Sequence, residues 1–315
     1  MVKESKEIRI PIPYGFIAAK VWGNQEEADL TIIALHGWMD NASTFDPLIE
    51  SLEGNYHIIA VDLPGHGLSS HYPPGVPYRN ISWLIDLRRI VNFFNLDKIS
   101  FLGHSMGGNV ALMYACVYPE KVERIIACDI FKEATYPAES IAQEMANSIQ
   151  IFLESEQRPK MTKPYSYDDC IDILISTHYN GSLNKKMASY LLKRAARETP
   201  DGYIFTRDPR LTAIVHQKYD LNTLVQLYSN AKCEKFILCG SRGTTKLDTP
   251  EAQAILDVHK STGYFKLIKV SGDHYLHLAS PIDCARHIDS FIKESVQRTK
   301  NSSTNGFPLT ESKSS

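Results

Sequence analysis

The stretch "FLGHSMGGNV" (101–110) decides the fold, because it places one serine, Ser105, inside a strand–turn–helix pattern. The apolar run that ends at 104 predicts a buried strand, and a helical pattern follows it directly. Gly103 and Gly107 flank the serine and allow the strand and the helix to approach closely. Such a turn lifts a hydroxyl clear of the sheet edge, so we predict that Ser105 is a nucleophile and not an ordinary turn serine.

Apolar runs rich in β-branched residues alternate with helical patterns along most of the chain. This alternation predicts crossover units and therefore an α/β fold, with a mostly parallel central sheet flanked by helices. The first two runs lie on either side of Tyr14-Gly15 and predict a hairpin. The predicted strands are 7–13, 15–22, 30–37, 56–63, 99–104, 122–130, 235–240 and 264–272, and the clearest helices are 80–95, 106–118 and 281–296.

The alternation stops between residues 131 and 231, where the pattern is helical. Ser166 and Asp169 predict a capping box at the start of one helix, and 184–198 has apolar residues at helical spacing. We interpret this block as a helical cap inserted before the penultimate strand, over the strand ends. The predicted division is a first core part at 1–130, the cap at 131–231, a second core part at 232–297 and a disordered tail at 298–315.

A nucleophilic serine that attacks a carbonyl group needs two N–H donors for the oxyanion that forms. The amide of Met106, directly after Ser105, is the first candidate. The second candidate is the amide of Trp38, in the stretch "LHGWMDNASTFD" (35–46) that follows an earlier strand. The sharp turn at His36-Gly37 allows that amide to face the serine. We therefore predict an oxyanion hole formed by Trp38 and Met106.

A general base is also required, and the chain has 11 histidines. The stretch "VSGDHYLHLASP" (270–281) follows the last predicted strand, and it contains His274 and His277. The order serine first and histidine last fits hydrolases of this type. His274 is nearer to the strand end, whereas His277 is expected to pack at the start of the last helix. We predict that His274 is the base.

The composition argues against several classes of function. The 315 residues include 34 basic and 36 acidic ones, so neither nucleic acid nor an anionic membrane surface is indicated as a partner. No apolar segment is long enough for a signal peptide or a membrane span, and no prenylation or peroxisomal signal ends the chain, so a cytoplasmic location is expected. Six cysteines without a CxxC pair predict buried free thiols. No metal-ligand cluster or dinucleotide-binding loop is evident, so no cofactor is expected.

The chain resembles the α/β-hydrolase superfamily over about residues 8–297, and within it the serine hydrolase-like (kraken-like) group. The resemblance implies a lidded hydrolase that acts on a small-molecule or lipid-like ester, or on a related acyl substrate, without a cofactor. Four stretches carry it, and the last is the most specific to the group: "LHGWMDNASTFDPLI" (35–49), "VDLPGHGLSSHYP" (61–73), "FLGHSMGG" (101–108) and "DGYIFTRDPRL" (201–211).

The catalytic acid is the point at which this chain departs from many relatives. These place an aspartate after the penultimate strand in a G-x-x-D pattern, but here Gly240 is followed three residues later by Gly243. The other position known in the superfamily is the end of the preceding strand, where "IIACDIF" contains Asp129. The serine hydrolase-like group tends to carry an aspartate there. We therefore predict Asp129 as the acid, with Asp248 as the alternative.

Three functions are compatible with these residues. The first is a carboxylesterase or lipase-like enzyme that uses a Ser-His-Asp triad and an acyl-enzyme. The second is a carbon–carbon bond hydrolase on the same scaffold, which would use the same three residues. The third is a catalytically weak member of the fold that binds a ligand. Epoxide hydrolases and haloalkane dehalogenases use an aspartate nucleophile, so Ser105 argues against both.

Overall fold

A computed structural model describes residues 3–157, 163–178, 182–215 and 217–304. Within these ranges the chain forms an eight-stranded sheet and a separate two-stranded sheet. The strands are β1 (Lys6–Ile12), β2 (Gly15–Trp22), β3 (Leu30–Leu35), β4 (Tyr56–Val61), β5 (Ile99–His104), β6 (Val122–Cys128), β7 (Ala196–Thr199), β8 (Gly202–Phe205), β9 (Glu234–Gly240) and β10 (Phe265–Val270).

The large sheet has the strand order β1-β2-β4-β3-β5-β6-β9-β10. The first hairpin, β1–β2, is antiparallel, and β2 pairs antiparallel with β4. Every other neighbouring pair is parallel. The mostly parallel sheet predicted from the sequence is thus confirmed, and the carboxyl ends of β3, β5, β6, β9 and β10 share one edge.

Helices cover both faces of this sheet, which explains why its central strands are apolar on both sides. In β3, Ile33 and Leu35 pack with one apolar cluster, whereas Ile32 and Ala34 pack with the other. This division follows from the alternation of side chains along a strand. The helices are α1 (Asp46–Ser51), α2 (Asn80–Phe93), α3 (Met106–Val117), α4 (Ile141–Glu156), α5 (Tyr167–Thr177), α6 (Lys185–Ala195), α7 (Leu221–Tyr228), α8 (Pro250–Ser261), α9 (Leu276–Ala279) and α10 (Pro281–Thr304).

The block between β6 and β9 has a small apolar core of its own, built on α5 and α6. Tyr275 and Leu278, which follow β10, also join that core and tie it to the sheet edge. The capping box predicted for Ser166 and Asp169 is present at the start of α5. Helix α7 packs against α3 and α8, so the last part of this block lies in the layer beside the sheet.

The block is not entirely helical, which corrects the sequence-based expectation. Strands β7 and β8 form an antiparallel hairpin, with Thr199 paired to Gly202 across the turn. Gly202 has φ of 127°, a backbone conformation that favours glycine. The turn at Pro200-Asp201, closed by Gly202, therefore allows the chain to reverse within a few residues of α6, where the helical pattern alone predicts a longer helix.

The last helix also extends beyond its predicted end. Residues 298–304 continue α10, whereas the sequence predicted a disordered tail from 298. Arg298 accounts for the difference, because its Nε and Nη2 donate to the carboxylate of Glu234 at 2.9 and 2.8 Å. Its guanidinium also lies 3.7 Å from the centre of the Tyr264 ring. The rest of the predicted tail, 305–315, lies outside the described residues.

The six cysteines all fall within the described ranges and are buried free thiols, as the sequence predicts. In the part of the chain that the structure describes, no helix combines the length and apolar character needed to cross a bilayer.

Candidate active site

Ser105 lies at the junction of β5 and α3 with a strained backbone, at φ 50° and ψ −118°. Close packing around the turn explains its glycines. A Cβ atom on Gly107 would lie 2.0 Å from the carbonyl oxygen of Leu35, and one on Gly103 would lie 2.5 Å from the Gly108 Cα. Only glycine fits at either position, so the sequence pattern around Ser105 follows from the geometry of the turn.

The amides of Met106 and Trp38 are the candidate oxyanion donors. Met106 is the first residue of α3, and the first amides of a helix have no acceptor within the helix. Among the described residues, neither amide has a protein acceptor. The Trp38 side chain is held in place, because its Nε1 donates to the carbonyl oxygen of Leu211 at 2.8 Å. Leu211 closes the stretch at 201–211, so this stretch anchors the loop that carries the Trp38 amide.

His274 lies in the loop after β10 and is almost completely buried. Its Nδ1 is 2.8 Å from Oδ2 of Asp129 and 3.2 Å from Oγ1 of Thr244. A carboxylate only accepts, so Nδ1 carries a hydrogen and the neutral ring has its lone pair on Nε2. This is the tautomer that can take a proton from a serine hydroxyl.

Asp129 directly follows β6 and has a positive φ of 53°. Its amide donates to the Leu238 carbonyl at 2.7 Å, and its Oδ1 accepts from the Gly240 amide at 3.0 Å. Oδ2 accepts from both the amide and the hydroxyl of Thr244, at 2.8 and 3.1 Å. Complete burial opposes ionisation, but the hydrogen bonds from His274 and Thr244 outweigh it and lower the pKa of Asp129. Its carboxylate is therefore charged at neutral pH.

The alternative acid, Asp248, is exposed and lies two residues before α8. The carboxylate placed against His274 is that of Asp129. Position 243, where many relatives have an aspartate, lies against that same carboxylate. A Cβ atom on Gly243 would be 2.1 Å from Oδ1 of Asp129. A side chain at 243 and the carboxylate of Asp129 therefore compete for one space.

This close approach yields a first prediction. Replacing Gly243 with alanine is expected to lower kcat at least tenfold, because a methyl group would displace the Asp129 carboxylate from His274. Steady-state kinetics with a short activated ester would measure the loss. Gly263→Ala is the matched control, since it also crowds a backbone close to a neighbouring strand but lies beside Cys233, away from His274. A loss of the same size in both variants would contradict the explanation.

A cavity of about 380 Å³ opens onto Ser105 and His274. Part of its wall comes from the end of α5 and the residue after it, so the inserted block contributes to this cavity. Its lining consists of Trp38, Met39, His104, Ser105, Ser176, Thr177, His178, His274 and Tyr275. A larger cavity of about 930 Å³ is lined in part by Asn109, Glu133 and Thr244.

Sequence reasoning missed two contributors to the site, Thr244 and His104. Thr244 contacts both Asp129 and His274, and its only signal in the sequence is its position in the loop after the penultimate strand. The Nε2 of His104 lies 3.1 Å from the carbonyl oxygen of His274 and fixes the loop that carries the base. His277, the alternative base, is buried in α9 with its Nε2 2.8 Å from Oγ1 of Thr44.

Comparisons with known proteins agree with the fold described above. The family model described as "alpha/beta hydrolase fold" matches residues 31–163. A probable serine hydrolase of Drosophila melanogaster is 36% identical over 296 residues, which cover 92% of this chain and 88% of that protein. A serine hydrolase-like protein of Danio rerio is 31% identical, covering 97% and 94%. The crystal structure of a hypothetical protein from Pseudomonas aeruginosa PAO1 superposes with a TM-score of 0.81 at 26% identity, covering 91% of this chain and 99% of that one.

Proposed function

Because this chain belongs to the serine hydrolase-like group of the α/β-hydrolase family and is a hydrolase, we propose that it cleaves carboxylic esters or related acyl substrates through Ser105, His274 and Asp129. One observation carries the proposal. His274, joined to the buried Asp129 at 2.8 Å, lines a cavity whose wall also contains Ser105 on a strained turn. An ionised carboxylate, a correctly protonated imidazole and a raised hydroxyl are the groups that acyl transfer requires.

The proposed reaction begins when the Ser105 oxygen attacks the carbonyl carbon of the substrate and Nε2 of His274 takes the hydroxyl proton. The amides of Trp38 and Met106 then stabilise the negative oxygen of the tetrahedral intermediate. The alcohol leaves with the proton from Nε2, and the acyl group remains on Ser105. Water next attacks this ester with His274 again acting as base, and the carboxylic acid is released.

The Asp129 carboxylate acts throughout by holding His274 and stabilising its imidazolium form. Three donors fix the two carboxylate oxygens in addition to His274, namely the Gly240 amide and the two groups of Thr244. These bonds keep Oδ2 directed at Nδ1. We expect the pair to stay aligned without reorganisation during attack, which is the main electrostatic requirement of this step.

The proposal is tested with a fluorophosphonate probe and a series of p-nitrophenyl esters of increasing acyl length. We expect one equivalent of probe per chain, located on Ser105 by peptide mass analysis, and hydrolysis of at least one ester. Ser176→Ala is a suitable control, because Ser176 lines the same cavity from α5. This variant is expected to react with the probe to the same extent as the unmodified protein. Absence of both labelling and hydrolysis in folded protein would contradict the proposal.

The inserted block should set the choice of acyl chain. Thr177 ends α5 and faces the cavity, so Thr177→Phe is expected to narrow the acyl site. We predict a loss of about tenfold or more in kcat/KM for long acyl chains relative to acetate, since small changes of pocket volume discriminate on this scale. The ester series measures this ratio. An equal loss for every chain length would instead indicate damage to the site itself.

A further inference from the structure

Three side chains behind the proposed active site form a buried cluster that the acyl chemistry does not use. Asp40, His104 and His277 are 2%, 0% and 0% exposed. One potential ligand atom from each of them lies within 4.8 Å of the other two. Among the described residues, this is the only group of His, Cys, Asp or Glu side chains close enough to hold a metal ion together. Asp40 Oδ2, His104 Nδ1 and His277 Nδ1 also have no hydrogen-bond partner within the described part of the chain. Buried polar atoms without partners are rare and require an explanation.

The other nitrogen of each ring indicates which tautomer is present. His104 Nε2 lies 3.1 Å from the carbonyl oxygen of His274, which only accepts, so Nε2 carries the hydrogen. His277 Nε2 lies 2.8 Å from Oγ1 of Thr44. The Thr44 oxygen can accept from His277 Nε2, and in that tautomer the ring has its lone pair on Nδ1.

His104 Nδ1 therefore presents a lone pair toward Oδ2 of Asp40, and His277 Nδ1 presents one as well when its Nε2 donates to Thr44. One cation can be bound by all three of these atoms at once. Glycine at position 37 leaves space beside one of the nitrogens, because a Cβ atom there would lie 2.7 Å from His104 Nδ1.

We propose that Asp40, His104 and His277 bind a divalent transition-metal ion of the Zn²⁺ type. Two imidazole nitrogens and one carboxylate oxygen form a ligand set that suits Zn²⁺, whereas Ca²⁺ and Mg²⁺ prefer oxygen ligands. Tetrahedral ligands at Zn²⁺ bond lengths are about 3.4 Å apart. His104 Nδ1 and Asp40 Oδ2 are 3.7 Å apart, so small side-chain movements bring them into range.

Such an ion would link three segments that carry the proposed acyl chemistry. Asp40 is two residues after Trp38, His104 directly precedes Ser105, and His277 is three residues after His274. The rings of His104 and His274 are 4.7 Å apart between centres. The ion is therefore a structural one, and we expect it to raise the melting temperature of the protein.

The site is tested on the full chain by removing metal with EDTA, adding Zn²⁺ alone and removing the excess by gel filtration. We expect one Zn²⁺ per chain by mass spectrometry of the metal content, and a higher melting temperature than that of the EDTA-treated protein. Co²⁺ in place of Zn²⁺ should give the visible absorption of a tetrahedral nitrogen and oxygen site. These measurements do not depend on whether the protein hydrolyses esters.

Two variants test whether the ion is bound by the proposed side chains. His277→Gln keeps a donor for Thr44 but removes the Nδ1 ligand, and Asp40→Asn removes the charge. Each is expected to lower Zn²⁺ affinity at least tenfold. His259→Gln is the matched control, because His259 is also buried, donates from Nε2 to the Phe131 carbonyl at 2.7 Å and has an unpartnered Nδ1, but it lies outside the cluster.

Normal Zn²⁺ binding by the control, with loss in both cluster variants, supports the site. Three results would overturn it: unmodified protein that retains no Zn²⁺, cluster variants that still bind one equivalent, or a control that loses binding equally. If His277→Gln does not fold, Asp40→Asn and the Co²⁺ spectrum of the unmodified protein decide the question.

Discussion

Replacing Ser105 with alanine is expected to lower kcat for ester hydrolysis by about 10⁴- to 10⁶-fold, the scale of losing a nucleophile that works together with its base. The residual rate would come from substrate binding and from the amides of Trp38 and Met106, which the substitution does not change. Initial rates with a short p-nitrophenyl ester measure the effect, and the fluorophosphonate probe should no longer label the protein.

This variant should fold normally, so the loss would be chemical. The Ser105 amide donates to the carbonyl oxygen of Cys128 at 3.1 Å, and alanine keeps this bond. Ser105 is only partly buried, so removal of its side-chain oxygen should change the free energy of unfolding by less than about 0.5 kcal/mol. Circular dichroism and thermal melting check this expectation. Persistent labelling of the folded alanine variant would show that Ser105 is not the nucleophile.

The centre of the sheet was predictable because its strands are buried on both faces and therefore appear in the sequence as continuous apolar runs. The run at 99–104 corresponds to β5, Ile99–His104, in which every residue is buried. The hairpin of β7 and β8 was not predicted, because the sequence "ARETPDGYIF" is mostly polar in its first half and follows α6 without a loop. Its pairing depends on contacts such as that between Tyr165 and Tyr203, which local patterns do not encode.

Part of the site was predictable for a topological reason. Parallel strands bring their carboxyl ends to one edge, so Asp129 after β6 and His274 after β10 were expected to meet there although 145 residues separate them. Side-chain directions within loops follow no such rule. The contacts of Thr244, and the convergence of Asp40, His104 and His277, depend on loop conformations that periodicity does not describe. For this reason the sequence indicated no metal site.

Gly243 connects the missing aspartate of the G-x-x-D pattern with the position of the Asp129 carboxylate. Read by itself, the missing aspartate at 243 suggests a damaged site. In the structure the space beside Gly243 holds Oδ1 of Asp129, within 2.1 Å of where a Cβ would be. A carboxylate can therefore reach His274 from the end of β6 because position 243 has no side chain. The lack of a side chain at position 243 and the carboxylate at position 129 are therefore two parts of one arrangement.

The Asp129→Asn variant is expected to lower kcat by about 10⁴-fold, as neutralising a triad acid does without changing its shape. Every polar neighbour of this carboxylate is a donor: the Gly240 amide at Oδ1, and Thr244 and His274 at Oδ2. An asparagine amide must direct its NH₂ group at one of these donors. If it faces His274, the ring takes the other tautomer, with its hydrogen on Nε2, and cannot accept the proton of Ser105. If it faces Gly240, two N–H groups oppose each other in a buried site.

The measurement pairs Asp129→Asn with Asp248→Asn, which should lower kcat less than about tenfold because Asp248 is exposed at the surface. Stability must be followed as well. The native pKa of Asp129 is lowered, so its carboxylate stabilises the fold above its unfolded pKa, and this contribution is lost as the pH falls through the lower native value. The stability difference between the unmodified protein and Asp129→Asn should therefore shrink in acid, whereas an uncharged structural role would leave it constant. If folded Asp129→Asn keeps near-normal turnover and Asp248→Asn is inactive, the acid lies after β9 and the proposed triad is wrong.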